Sequence, residues 1–201
     1  MADGTTSAWR NRQGPIRIGA VVALAIAVAF VVWLVVRGND NTSSAQKTTT
    51  HKRTKTKPTK TREIVTAATP QRLRALEQAS GHPVYWAGQK PNVRYELTQT
   101  TDGRIFIRYL PKGVPLGAKR AYLIIATYPV KDALKAVRTA AKESGAVTFN
   151  IARGGLAVYN QSAATNVYFA YPSSKYQVEV FDPNPTRARQ LVQTGAIRPI
   201  A

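Results

Sequence analysis

The chain has 201 residues, carries 29 Lys or Arg against 10 Asp or Glu for a net charge of +19, and contains no cysteine. Absent cysteine excludes disulfides and thiol catalysis, and only two histidines are present to build a histidine-based catalytic or metal centre. The positive excess favours anionic partners: lipid headgroups, anionic wall polymers or nucleic acid.

Residues 1–17 form a short basic tail containing Arg10, Arg12 and Arg17. Residues 18–36, IGAVVALAIAVAFVVWLVV, hold no charge and are closed at their ends by Arg17 and Arg37. At ~1.5 Å per residue the run is about 28 Å long, close to the ~30 Å hydrocarbon core of a bilayer, so it reads as a transmembrane helix. A cleaved signal peptide is the competing reading, but its apolar core is usually only about 7–15 residues long. Here Arg37 and Asp40 also stand between the run and a cleavage-like site at Ser43 and Ala45. Trp33 suits the headgroup level, and Arg37 can snorkel to it. Within the run Gly19, Ala23 and Ala27 recur every fourth residue. This small-xxx-small stripe predicts a weak homodimer through the anchor, with chance recurrence of an abundant Ala as the alternative.

Orientation follows from flanking charge. The arginines of the tail hold the N-terminus in the cytoplasm, whereas the basic run beyond the helix begins only at Lys47, and large domains cross largely regardless of charge. The reading is N-terminus in, C-terminus out. Residues 37–68 make a Thr/Lys-rich stalk that, apart from Pro58, holds no apolar residue larger than Ala45 until Ile64, so it is expected to be disordered. Its cations Lys52, Arg53, Lys55, Lys57, Lys60 and Arg62 are candidate polyanion contacts, or a solvated spacer kept extended by repulsion. His51 has no second metal ligand beside it.

Residues 69–201 are expected to fold as an α+β domain. Thr69 caps a helix that opens on Pro70 and stops at Gly81. His82–Gly88 is extended because the residue before Pro83 avoids helix. Val93–Gln99 and Arg104–Leu110 alternate at period two around a turn with Asp102 and Gly103, a hairpin signal. Ala121–Tyr128 is apolar on both faces and predicts a central strand. A second helix is predicted over about Val130–Ser144 and a third from Pro185 to Gln193, with strands at Val147–Ile151, Leu156–Asn160, Val167–Tyr171 and Tyr176–Phe181 between them. Pro83–Pro111 and Ala157–Pro183 share a VY pair, an NV pair and a terminal Pro, which fits either a duplication or recurrence of a three-strand meander. The class is a mainly antiparallel sheet with about three helices.

Chemistry-bearing constellations are sparse. His82 follows a helix end, where an imidazole readily meets free carbonyls, and no nucleophile or orienting group is identified for it. No catalytic, cofactor-binding or metal-ligating residue is assigned. Glu96 and Glu179 would make a glycosidase-like pair if their strands adjoin, or else simply match exposed cations on a sheet face. GVPLGAKR at 113–120 lacks phosphate-loop spacing and reads as a basic loop. Trp86, Arg94, Arg104 and Arg108 are candidate ligand-facing aromatic and basic residues, with Tyr85, Tyr95, Tyr109, Tyr168, Tyr171 and Tyr176 concentrated on the same strands. Packing of tyrosine tips at sheet edges is the alternative.

HPVYWAG, the YELT and IRYLP strands, and the layout of tail, helix, stalk and domain resemble uncharacterised single-pass membrane-anchored proteins of high-GC Gram-positive (actinobacterial) type. The resemblance implies an envelope protein with its domain outside the cytoplasmic membrane and carries over no functional residue. The expectation is a membrane-tethered, non-enzymatic domain that binds an envelope component or a protein partner. An envelope hydrolase using strand carboxylates and non-specific polyanion or nucleic-acid binding through the stalk are the alternatives.

Overall fold

The computed structural model describes residues 63–200. The expected membrane span, the basic tail, the stalk cations and the stripe Gly19, Ala23, Ala27 lie outside the described residues. No described helix is long and apolar enough to cross a membrane.

Among the described residues, ten strands and three α-helices alternate as an α+β fold. Strand β1 is Glu63–Ala68, helix α1 Pro70–Ser80, β2 Tyr85–Trp86, β3 Val93–Thr100, β4 Ile105–Pro111 and β5 Ile124–Pro129. Helix α2 follows at Ala133–Ala140, then β6 Ala146–Ile151, β7 Gly155–Asn160, β8 Asn166–Ala170, β9 Tyr176–Phe181, α3 Pro185–Gln193 and β10 Arg198–Pro199. Eight strands form one sheet in the order β1-β3-β4-β5-β9-β8-β7-β6, and β2 pairs with β10 in a separate ribbon. Every pairing is antiparallel. The sheet is two meanders joined where β5 meets β9, with Ile125 opposite Val180 and Thr127 opposite Val178.

Period-two alternation sends the two sets of side chains to opposite faces. Leu97, Ile107, Ile125, Phe169 and Val178 fill one face, covered by Leu73 of α1, Val192 of α3 and the ribbon residues Tyr85 and Trp86. Phe106, Ala126, Tyr128, Tyr168 and Ala170 fill the other beneath Ala133, Val137 and Ala140 of α2. A strand such as β5, apolar on both faces, is therefore central, as its composition predicts.

The caps explain the helix limits. Thr69 Oγ1 accepts from Arg72 N at 3.2 Å and Gly81 takes a left-handed φ of 67°, so α1 runs as predicted. Asn184 Oδ1 accepts from Thr186 N and Arg187 N, and Pro185 opens α3 where a missing N–H costs nothing. Helix α2 is shorter than its apolar spacing suggests. After Ala140 the chain tightens into successive turns (Lys142 N to Thr139 O, Glu143 N to Ala140 O, Ala146 N to Glu143 O) that feed directly into β6.

Three further features differ from the sequence reading. Residues 63–68, assigned to the disordered stalk, form β1: Ile64, Val65 and Thr66 are strand formers that bury little, and pairing of all six residues with β3 supplies the backbone hydrogen bonds that hold them. Pro83–Gly88 contributes only the two-residue β2, placed outside the large sheet. The two matched segments are consequently not equivalent: Val158 and Tyr159 lie in β7 of the main sheet, whereas Val84 precedes, and Tyr85 lies in, the ribbon strand. A three-strand meander exists only in the second segment.

Gly155, at the start of β7, has an ordinary extended backbone but no room: a Cβ there would lie 2.6 Å from Ile151 Cγ1 and 2.8 Å from Tyr171 Cδ1. Overpacking of this kind costs about 1–3 kcal/mol. Gly155→Ala should lower the denaturant midpoint by a corresponding amount in equilibrium unfolding, and an unchanged midpoint would mean the β6–β7 turn is not packed against Tyr171.

Candidate functional site

Five carboxylates, those of Glu77, Glu96, Asp102, Glu179 and Asp182, are spent on structure. Glu179 is on β9, 2% exposed, on the α2-covered face between Ala126 of β5 and Tyr168 of β8. Its Oε2 accepts from the Tyr128 hydroxyl, and its Oε1 accepts from the Tyr168 hydroxyl at 2.9 Å and from Asn166 Nδ2. Burial of a carboxylate costs several kcal/mol, and hydrogen bonds to a charged group return roughly 1.5–3 kcal/mol each. Burial prevails: the Glu179 carboxyl is pushed above its ordinary range, with the three donors pulling it back. Burial first, and then the neighbouring Glu179, hold the Tyr128 and Tyr168 hydroxyls well above 10, so both stay protonated donors.

Glu96 is equally committed. Its Oε1 pairs with Arg108 Nη1 at 3.1 Å and its Oε2 accepts from Gly117 N. Arg108 Nη2 donates to the carbonyls of Ala118 and Arg120, and the guanidinium lies 5.3 Å from the Tyr122 ring centroid. The 113–120 segment is therefore a plug whose backbone is held on the sheet by one ion pair. Asp102 pairs with Arg104 at 2.9 Å. Asp182 pairs with Arg187 at 3.1 Å, and its Oδ1 accepts from Asn184 N at 2.9 Å. Glu77 Oε2 accepts from Val84 N at 2.8 Å and Ile200 N at 3.3 Å, tying α1 to the last strand.

Strands β4 and β5 separate Glu96 from Glu179, about 14 Å at ~4.8 Å per strand, beyond the roughly 5–10 Å of a glycosidase pair. Trp86 is not ligand-facing; it is 7% exposed and meets Tyr95 edge-on at 6.1 Å, because the ribbon lies on the apolar face of the sheet. Arg104 and Arg108 are held by Asp102 and Glu96, so neither projects a free charge. Arg94 is exposed and, with Asn92 and Lys112, lines a shallow depression at the far end of the hairpin from Arg104. The four do not form one groove. His82 sits against Tyr176, ring centroids 5.2 Å apart, with Nδ1 3.4 Å from the Pro83 carbonyl.

Free cations gather instead at two clefts. One, about 480 Å³, is lined by Lys90, Arg120, Tyr122 and the Asp182–Arg187 pair. The other, about 570 Å³, opens between the β6–β7 turn, the β8–β9 turn and the β2–β10 ribbon, and is lined by Tyr85, Arg153, Tyr171, Ser174, Arg198 and Pro199. Arg153 and Arg198 make no ion pair or side-chain hydrogen bond among the described residues. No carboxylate lines this cleft. Arg153 sits at φ 58° and ψ 29°, and Ser173 in the facing turn at φ 60°. A left-handed L-residue costs about 1–2 kcal/mol, offset here by the tight packing of Gly155 on Tyr171 and Ile151. Burial, reinforced by the Tyr171 hydroxyl, pushes the Tyr85 hydroxyl up to about 12, with Arg153 acting against the shift. Tyr171 is raised by burial and likewise opposed by Arg153, so the Arg153 charge bears on both hydroxyls. Sequence reasoning singled out Tyr85 and Tyr171 but passed over Arg153 and Arg198. The available signal was an arginine immediately before a Gly-Gly pair.

Compared with known protein families, curated proteins and solved structures, the chain matches none.

The buried acid has a pH signature. Because Glu179 keeps its proton to higher pH in the folded than in the unfolded chain, whose ordinary value is 4.5, its contribution is fully present below that value and is lost as the pH rises through the native one. Glu179→Gln removes this titration. In thermal unfolding between about pH 4 and about pH 8, the variant should gain on wild type as the pH rises. A shift in the opposite direction would contradict a carboxyl dominated by desolvation.

Proposed function

We propose that the chain is a membrane-tethered protein whose α+β domain lies outside the cytoplasm and binds an anionic envelope component or a protein partner without catalysing a reaction on it. One observation supports this reading above the others: Glu96, Asp102, Glu179 and Asp182 are engaged in structural bonds, while Lys90, Arg120, Arg153 and Arg198, which line two clefts, make no ion pair among the described residues. Residues 63–201 hold 18 Lys or Arg against 8 Asp or Glu, so the excess belongs to the folded region as well as to the stalk. A surface of this sign attracts polyanions over roughly a Debye length, about 8–10 Å at moderate salt. An envelope hydrolase built on strand carboxylates has less support, since Glu96 and Glu179 lie on strands separated by two others. Non-specific binding of nucleic acid through the stalk would instead follow from Lys52, Arg53, Lys55, Lys57, Lys60 and Arg62 alone.

Topology is the decisive test. A reporter active only outside the cytoplasm should work when fused after Ala201, and protease added to intact spheroplasts should cut between residues 37 and 62. The purified full chain should also sediment with a poly(glycerol phosphate) matrix and be released by added salt, but not with neutral dextran. A cytoplasmic C-terminus would overturn the envelope assignment, and salt-independent sedimentation would overturn the electrostatic one.

A further inference from the structure

We propose that the cleft between Arg153 and Arg198 is a binding site for a phosphorylated sugar or polyol unit, the phosphoryl oxygens taken by the two guanidiniums and the tyrosine hydroxyls, and the ring or polyol carbons by Tyr171, Pro172 and Pro199. This deepens the proposed function and rests on its anion-binding part.

The chemistry of the lining selects the ligand. Two guanidiniums that make no ion pair or side-chain hydrogen bond among the described residues face a cleft with no carboxylate in its lining, a net positive lining; Glu77, outside it, acts on the Tyr85 hydroxyl in the opposite sense to Arg153. Each presents a planar fork suited to two oxygens of one anion. Tyr85, protonated at neutral pH, adds a hydroxyl donor, and Tyr171 and Ser174 add others. Two forks and three hydroxyls exceed what the two oxygens of a carboxylate accept, and suit the three peripheral oxygens of a phosphoryl group. Size argues against a bare ion. A cleft of about 570 Å³ lies within the range of small-molecule sites, and its proline and tyrosine walls offer apolar surface to the carbon skeleton.

The position of Arg153 is itself built. The β6–β7 turn is locked by Gly155, whose missing Cβ lets Ile151 and Tyr171 close on it, and the turn raises Arg153 in the left-handed conformation that glycine adopts freely. A residue other than glycine at such a position on a cleft wall is the sort of local strain that functional sites retain. Arg198 approaches from the opposite side on β10, held in place by pairing with Trp86.

The backbone at Arg153 supplies a clean variant, because Arg153→Gly removes the charge and relieves the left-handed strain together. The full chain in phosphatidylcholine nanodiscs would be titrated calorimetrically with a glycerol phosphate oligomer, with glucose 1-phosphate and with glucose. Both phosphorylated ligands should bind and glucose should not. Arg153→Gly and Arg198→Gln should each weaken binding about tenfold or more, as expected for loss of a charged hydrogen-bond donor, with the unfolding temperature of Arg153→Gly unchanged or raised. Arg138→Gln, on the exposed face of α2 and in neither cleft, should bind as wild type does. Nanodiscs containing phosphatidylglycerol separate two sources of the same chemistry: competition with the soluble oligomer assigns the site to a lipid headgroup, and none assigns it to a polymer or free sugar phosphate. Binding that survives both Arg153→Gly and Arg198→Gln, or that is weakened as much by Arg138→Gln, overturns the proposal. If neither phosphorylated ligand binds while the chain still sediments with the polyanion matrix in a salt-dependent way, this inference fails and the broader reading stands.

Discussion

The pairing of β5 with β9 is the constraint on which the rest of the folded region depends. Each of the two meanders forms locally, strand after strand, but only the register of Ile124 with Phe181 through Pro129 with Tyr176 joins them into one sheet. Without that seam, two four-stranded sheets would each expose a further edge, with the liabilities of unpaired backbone. The seam is apolar on the face toward α1 and α3, where Ile125, Val178 and Val180 meet. On the other face it carries Glu179, linked to Tyr128 of β5 on one side and to Tyr168 of β8 on the other. A carboxyl that bonds to two neighbouring strands favours this register over a slip of one residue, which would turn it into the opposite face.

Rigidity at the seam has consequences at the ends of the strands. The β8–β9 and β6–β7 turns are carried by one continuous sheet, and Gly155 packs the second turn against Tyr171 at the foot of the first. The β2–β10 ribbon, fastened through the Tyr109 hydroxyl to Ala87 N at 2.6 Å and through Glu77 to Ile200 N, forms the opposing wall. Such walls fix the backbone from which each arginine is presented, so the ordering cost of binding falls on the two side chains and not on the turns that carry them. The division of labour between charges follows: Glu96 and Glu179 sit on strands, where they bind backbone and side-chain donors, Glu96 holding the 113–120 plug by its Gly117 N–H, whereas Lys90, Arg120, Arg153 and Arg198 line the clefts.

Local features of the fold were readable from local signals. Thr69 with Pro70 and Asn184 with Pro185 mark helix starts, because each pairs a side-chain acceptor with a residue lacking an N–H, and the structure places α1 and α3 as those signals predict. Alternation in VRYELTQ and IRYL, and its absence in LIIATY, separate β3 and β4 from the central β5. What was hidden is what tertiary pairing decides. EIVTAA has little burial of its own and becomes β1 only against β3. Two-residue strands such as β2 and β10 carry no period at all. Glu96 and Glu179, equivalent in sequence pattern, diverge because one meets Arg108 across a hairpin and the other lies under α2 at the seam. Arg153 and Arg198 are far apart along the chain and meet across a cleft only once the ribbon is seated.

The central claim is that the charge which selects a ligand is held by the walls of the folded region and not by the stalk alone. Hydrogen–deuterium exchange of the full chain, measured with and without poly(glycerol phosphate), tests it most directly. Protection should concentrate in peptides covering 152–155, 171–175 and 196–199, the segments that wall the larger cleft. Protection confined to residues 47–62, with those segments exchanging as in the free protein, would contradict it.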